Sequence, residues 1–287
     1  MKKVSSGLLS LASVMARLLP DSFKSGVYRF KPLARIIRAG LNRAAPVGLV
    51  EVPVAAGALA GLKLQLDLQT EKDYWLGTYE MDLQQVVASR IQKGWVVYDV
   101  GANIGYISLV FARAVGSTGK VFAFEALPDN VRRLQRNLAL NLGETNVEVV
   151  AAAVVDTTRP VNFLVGPSNG MGKVEGSAGR EDVIYAQHIS VPGISLDAFA
   201  FEQGHPLPKA VKIDIEGGEV MALPGMSRLL QEARPVLFLE LHGEAAARAA
   251  WQALNPLGYR IYQMAPDDIE VMSVEELNWK AYLVAVP

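Results

Sequence analysis

Val96-Val-Tyr-Asp-Val100, followed by Gly101-Ala-Asn-Ile-Gly105, is the stretch of this 287-residue chain on which the fold turns. The first five residues form a short apolar run with one carboxylate, Asp99. A glycine-bearing turn follows, then a helix-like segment from Tyr106 to Val115. Twenty positions after Gly105, the second apolar run Val121-Phe-Ala-Phe124 ends in Glu125. Strand, glycine turn, helix, strand and acid together hold a nucleoside at the carboxyl edge of a parallel sheet. The glycines let backbone approach the ligand, and the acid meets a ribose diol.

A nicotinamide fingerprint requires G-x-G-x-x-G/A, but Asn103 and Tyr106 stand where its second and third glycines belong. A P-loop ends in Gly-Lys-Ser/Thr, and this turn has no lysine and no hydroxyl before Ser108. What remains suits a ribose, a base and a small zwitterion without phosphate, which describes S-adenosylmethionine. Asp99 is placed to accept its ammonium, directly or through water. The turn and helix start, with Gly101, Asn103 and Gly105, are placed to donate to its carboxylate. The adenine is expected after the third strand, near Ala152 and Ala153, where side chains are small and a backbone N–H is able to read the ring.

Outward from this stretch, strands are expected at 95–100, 120–125, 147–150, 210–215 and 235–241, with two more at 259–263 and 281–286. Helices intervene at 79–92, 105–115 and from Pro128 onward. This alternation predicts an α/β fold with a mostly parallel seven-stranded sheet and helices on both faces. Residues 160–165 begin an excursion through a Gly/Ser-rich loop, 166–180, that is either a lid carrying Asn169 or a surface loop. Before the sheet, Val50 to Leu68 alternates around a Gly/Ala turn and predicts a β-hairpin. The expected division is an arm and hairpin over 1–70 and a cofactor-binding domain over 71–287.

The net charge of −1 hides an asymmetry. Residues 1–43 hold nine Lys/Arg and one acid, Asp21, leaving 19 basic and 28 acidic residues elsewhere, a balance of −9. An acidic body is a poor nucleic-acid partner. In the arm, Leu8, Leu11, Met15 and Leu18 recur at helical spacing between basic residues. That suits a helix packed on the body or on a twin subunit, or a helix lying on a membrane surface through residues 1–45. Pro20, Pro32 and Pro46 are expected to break the arm. No apolar run reaches the ~18 residues of a spanning helix, and no signal-peptide cleavage pattern follows the arm. The absence of cysteine excludes a disulfide scaffold and permits a cytoplasmic setting, with peripheral membrane contact as the variant.

The motifs, taken in order, resemble the FkbM-type methyltransferases. Asp99 to Gly105 reads D-x-G-A-N-x-G, Phe124-Glu-Ala-Leu-Pro128 is close to F-E-P-x-P, and Lys212-Ile-Asp-Ile-Glu-Gly-Gly-Glu219 reads K-I-D-x-E-G-x-E. Tyr79-Glu80, Ser195-Leu-Asp-Ala-Phe199 and Glu240-Leu-His242 match lesser motifs, and Ala126 departs from the usual proline. The resemblance covers about residues 73–287. It implies a Rossmann-like, S-adenosylmethionine-dependent methyltransferase fold acting on a hydroxyl of a sugar, glycolipid or natural product. Alternatives are a nucleotide-dependent oxidoreductase on a similar sheet and a non-catalytic cofactor-binding membrane adaptor.

Methyl transfer to an alcohol needs alignment and a proton acceptor. Candidates belong at the ends of the fourth and fifth strands, where alternation groups Asp214 with Glu216 and Glu240 with His242. His242 or Asp214 is the expected base, with Glu240 beside them. A divalent cation held by Asp214, Glu216 and Glu240 is the alternative to direct base chemistry. Lys212 either contacts the acceptor or pairs with a neighbouring carboxylate. Glu80 belongs either to a lid or to a helix start, and Glu219 either serves the site or opens the next helix.

Overall fold

The computed structural model describes residues 3–18, 31–141, 146–167, 171–180, 182–264, 269–277 and 280–287. The chain forms two compact units, residues 1–84 with Ala139–Leu142, and residues 85–138 with 143–287. The first unit therefore takes in 71–84, beyond the expected boundary at residue 70.

The first unit opens with helices α1 (Lys3–Leu18) and α2 (Lys31–Ala44), which touch each other. Pro32 lies in the first turn of α2, where its missing N–H costs no helical bond. Strands β1 (Leu49–Pro53) and β2 (Lys63–Asp67) form the antiparallel hairpin, with Val50 opposite Leu66 and Val52 opposite Leu64. Leu64 and Leu66 are fully buried, as the alternation requires. Asn141 clasps β2 by accepting from the Lys63 N–H (2.9 Å) and donating to its carbonyl (2.7 Å). Helix α3 (Lys72–Leu76) ends at left-handed Gly77, and α4 (Met81–Arg90) carries the chain into the second unit.

The second unit is built on β3 (Val96–Val100), β4 (Lys120–Phe124), β5 (Val147–Val150), β11 (Ala210–Ile213), β12 (Val236–His242), β13 (Arg260–Gln263) and β14 (Lys280–Val286). Their order across the seven-stranded sheet is β13-β14-β12-β11-β3-β4-β5. All neighbours are parallel except β14, which runs antiparallel to β12 and β13. The order reverses between β3 and β11, which makes their carboxyl ends the topological switch point where sheets of this kind bind ligands. This is the Rossmann-like methyltransferase arrangement.

Helices α5 (Tyr106–Val115), α6 (Pro128–Ala139), α7 (Glu219–Ala222), α8 (Ser227–Glu232) and α9 (Glu244–Leu254) connect the strands. Alternation gives each strand two apolar faces. Tyr98, Phe124, Ile213 and Leu239 face one core with Phe199, Leu229 and Ala250. On the other side Ala123 meets Leu134 of α6, and the rings of Phe111 and Phe238 lie 5.9 Å apart.

Between β5 and β11 the excursion makes two small sheets. Strands β6 (Ala153–Val154) and β10 (Gly193–Ile194) pair in parallel, while β7 (Val161–Val165) takes β8 (Lys173–Val174) and β9 (Gln187–Val191) on its two edges. The Gly/Ser-rich segment is thus partly a strand. Asn169, its candidate residue, lies outside the described residues.

Candidate active site

The turn after β3 holds its shape through glycine. A Cβ on Gly101 (φ +81°) would lie 1.9 Å from the Asp214 carbonyl oxygen, so backbone meets backbone there and only glycine fits. A Cβ on Gly105 (φ +89°) would lie 2.3 Å from the Leu134 side chain. Asn103 is itself left-handed at φ +50°.

Glu125, at the end of β4, closes the turn from the other side. Its carboxylate accepts from the N–H groups of Asn103 and Leu127, both at 2.8 Å. Burial pushes Glu125 above the ordinary carboxylate range, and the backbone donors oppose that rise. The Ala126 N–H and the Asn130 side chain also donate to this carboxylate. The Oδ1 atoms of Asn103 and Asp99 are buried without a hydrogen-bond partner among the described residues.

Asp99 is fully buried, and its Oδ2 accepts from the Ser108 hydroxyl at 2.6 Å. Lys212 lies opposite it in the register between β11 and β3, with Nζ 3.6 Å from Asp99 and 3.4 Å from Asp214. The same ammonium donates to the Gly101 carbonyl at 3.1 Å. Lys212 is only 4 % exposed, and its partners tie the turn after β3 to the end of β11.

Ala152 and Ala153, expected near the adenine, lie after β5. The N–H of Ala152 donates to the Val150 carbonyl (2.9 Å) and that of Ala153 to the Pro192 carbonyl (2.8 Å). Both donors are thus engaged by other backbone carbonyls, that of Ala153 beside the pairing of β6 with β10. Glu80, with φ +46°, belongs to the first unit.

The catalytic candidates converge at the ends of β11 and β12. His242 is 1 % exposed, with Nδ1 3.3 Å from Glu219 and Nε2 3.2 Å from Glu240 and 3.7 Å from Glu216. Glu219 is fully buried and also accepts, at 3.3 Å, from the Ile215 N–H. Glu240 is paired in turn with Lys280, which the antiparallel register sets opposite His242. Burial alone would lower the His242 pKa, but its carboxylate partners outweigh burial and raise it to about 10. Burial pushes Glu240 up, yet His242 and Lys280 hold it below its ordinary value. Asp214 goes the other way: burial raises it to about 6, against the pull of Lys212. Asp214 remains 18 % exposed and Glu216 29 %.

The atoms that approach one another within 4.8 Å belong to Asp214, Glu240 and His242, not to the expected trio that included Glu216. With His242 held as an imidazolium and Lys280 on Glu240, cationic charge at these carboxylates is already supplied by the chain.

One wall comes from the excursion. The Ala178 N–H donates to the Gly217 carbonyl at 3.0 Å, and a Cβ on Gly179 would lie 2.6 Å from the Glu216 carbonyl oxygen. Lys173 locks this wall by donating to the carbonyls of Ala178 (3.2 Å) and Arg180 (3.0 Å). Burial, then the Glu216 charge, raises the Tyr185 hydroxyl above its usual pKa. Lys280 and this wall were not legible as site parts, because each depends on pairing between distant segments. Glu219 was marked only by its place in the Lys212–Glu219 motif.

Residues 99–261 match the family described as the methyltransferase FkbM domain. A curated relative, hexuronic acid methyltransferase AglP of Haloferax volcanii, is 28% identical over 202 residues, covering 68% of this chain and 77% of its own. Among solved structures, the FkbM methyltransferase of Methylobacillus flagellatus is 15% identical with a TM-score of 0.43, covering 77% of this chain and 54% of its own. Fibrillarin of Aeropyrum pernix with natively bound S-adenosyl-L-methionine is 11% identical with a TM-score of 0.42, covering 71% and 73%.

Proposed function

The chain belongs to the FkbM methyltransferase family, and on that premise we propose that it moves the methyl group of S-adenosylmethionine to a hydroxyl of a sugar or glycan, with Asp214 taking the hydroxyl proton. The oxidoreductase alternative falls with family membership. The sugar as acceptor class rests on the name of the Haloferax relative, which acts on hexuronic acid.

The cofactor fits the residues around the turn. Glu125 would take the ribose hydroxyls, and the buried acceptor atom on Asn103 would gain a donor. S-adenosylmethionine supplies an electrophilic methyl on sulfur, and its leaving group is a neutral thioether that needs no acid. The chain's remaining tasks are alignment and proton removal.

The observation that carries the base assignment is exposure. Asp214 is open to an acceptor, whereas His242 is sealed between Glu219 and Glu240. A base must come within hydrogen-bond reach of the proton it takes, and its pKa works best near the operating pH. Asp214, raised to about 6, meets both conditions. His242, raised to about 10, already holds its proton at neutral pH and acts as a cationic clamp on two carboxylates.

The test is incubation with S-adenosylmethionine and a panel of neutral sugars and uronic acids, read by mass spectrometry before and after mild alkali. A methyl ether survives alkali and supports the reading. A methyl ester does not survive, and would move the acceptor from a hydroxyl to a carboxylate, which needs no base. No methylated sugar from an enzyme that binds the cofactor would refute the acceptor class.

A further inference from the structure

Helix α1 packs the wrong way round for a surface helix of a soluble domain. Such a helix turns its large apolar residues inward and its small or polar ones outward. Here Ala16 is buried against Ala55 and Ala56, and Arg17 donates to the Ala55 carbonyl at 3.1 Å. Leu9, Ala12 and Ser13, on the same side, are half-buried. Four large apolar residues face out: Leu11 is 58% exposed, Val14 47%, Met15 42% and Leu18 75%. Their spacing of three and four places them in one stripe along the helix.

Charge identifies what the stripe meets. Neither α1 nor α2 contains a carboxylate. Lys3 opens α1 and Arg17 closes it, while α2 carries Lys31, Arg35, Arg38 and Arg43, with Arg35 and Arg43 exposed. Together with the stripe they combine outward apolar bulk with excess positive charge.

We infer that the α1–α2 pair is a docking surface for an anionic lipid bilayer, with Leu11, Val14, Met15 and Leu18 entering the headgroup boundary and the cations of both helices meeting lipid phosphate. Apolar insertion and attraction to anionic headgroups reinforce each other at such a surface. A second copy docked through the same face is disfavoured, because it would bring two carboxylate-free helix pairs together. This inference is independent of the catalytic reading.

The test is flotation of the full chain with vesicles of phosphatidylcholine alone or with about 30 mol% phosphatidylglycerol. The wild-type chain floats with the anionic vesicles, stays behind with the neutral ones, and loses binding as salt rises. Leu11→Ser/Met15→Ser/Leu18→Ser lowers the bound fraction about tenfold or more, and Arg35→Glu/Arg43→Glu does so separately without touching the stripe. Circular dichroism checks that both variants are folded. Absence of flotation, equal flotation with neutral vesicles, or unchanged binding by both folded variants overturns the inference. So does light scattering that shows a wild-type dimer which the triple serine variant dissociates, because the stripe would then face a second copy. Binding of an acidic protein in preference to anionic vesicles also overturns it.

Discussion

Replacing His242 by glutamine probes the clamp that organises the site. His242 lies between Glu219 and Glu240 at 3.3 and 3.2 Å and is 1 % exposed. Breaking a buried pair by removing one partner costs about 3–5 kcal/mol, because the other charge is left buried. Linkage gives a second route to the magnitude. The folded His242 pKa is raised to about 10, whereas the unfolded value is near 6.5. Because the folded value is the higher, the contribution is fully present below pH 6.5 and is lost as pH rises through 10. It amounts to about 4 kcal/mol at pH 7 and about 1 kcal/mol at pH 9. Urea unfolding of His242→Gln at pH 7 should therefore show a loss of about 4 kcal/mol. The gap to wild type should narrow by about 2–3 kcal/mol between pH 7 and pH 9. A gap that stays constant over this range would mean that His242 is neutral in the folded protein, and the clamp would be refuted.

Gly101→Ala places a Cβ 1.9 Å from the Asp214 carbonyl in a left-handed backbone, and should cost at least about 2 kcal/mol by urea unfolding. Glu125→Ala removes the acceptor for two backbone donors and the expected ribose partner, so calorimetry should show cofactor affinity weakened by about 1–3 kcal/mol. Unchanged affinity would displace the ribose assignment. Exhaustive treatment with EDTA should leave turnover within about twofold, because Lys280 and His242 already neutralise Glu240. A loss restored by magnesium would reinstate the cation.

What the sequence made legible was local. The run at 96–100, the glycine turn and Glu125 define strand, turn and acid within thirty residues, and all three stand where alternation and turn chemistry put them. The hairpin was readable because Leu62, Leu64, Leu66 and Leu68 alternate beside its turn. Residue roles were harder to read, because they depend on partners far away in the chain. Lys212 looks like a site cation until β11 pairs with β3 and sets it opposite Asp99. Ala153 offers a free backbone donor in the sequence until the Pro192 carbonyl, 39 residues on, engages it. For His242, the partners that set its environment come from elsewhere in the chain: Glu219, buried at the start of α7, and Glu240, itself paired with Lys280, 38 residues on from His242. The stripe on α1 was visible, but which side of it packs depends on the hairpin it meets.

The central claim, that Asp214 and not His242 takes the proton, is tested most directly by the pH dependence of kcat/KM for the wild type and for Asp214→Asn. Asp214 must lose its own proton to act, so wild-type activity should rise with pH through a limb near 6. Asp214→Asn should lose about 100-fold or more in rate and lose that limb, with cofactor affinity retained. A wild-type limb near pH 10, the His242 value, or a folded Asp214→Asn enzyme with near-normal rate would contradict the account.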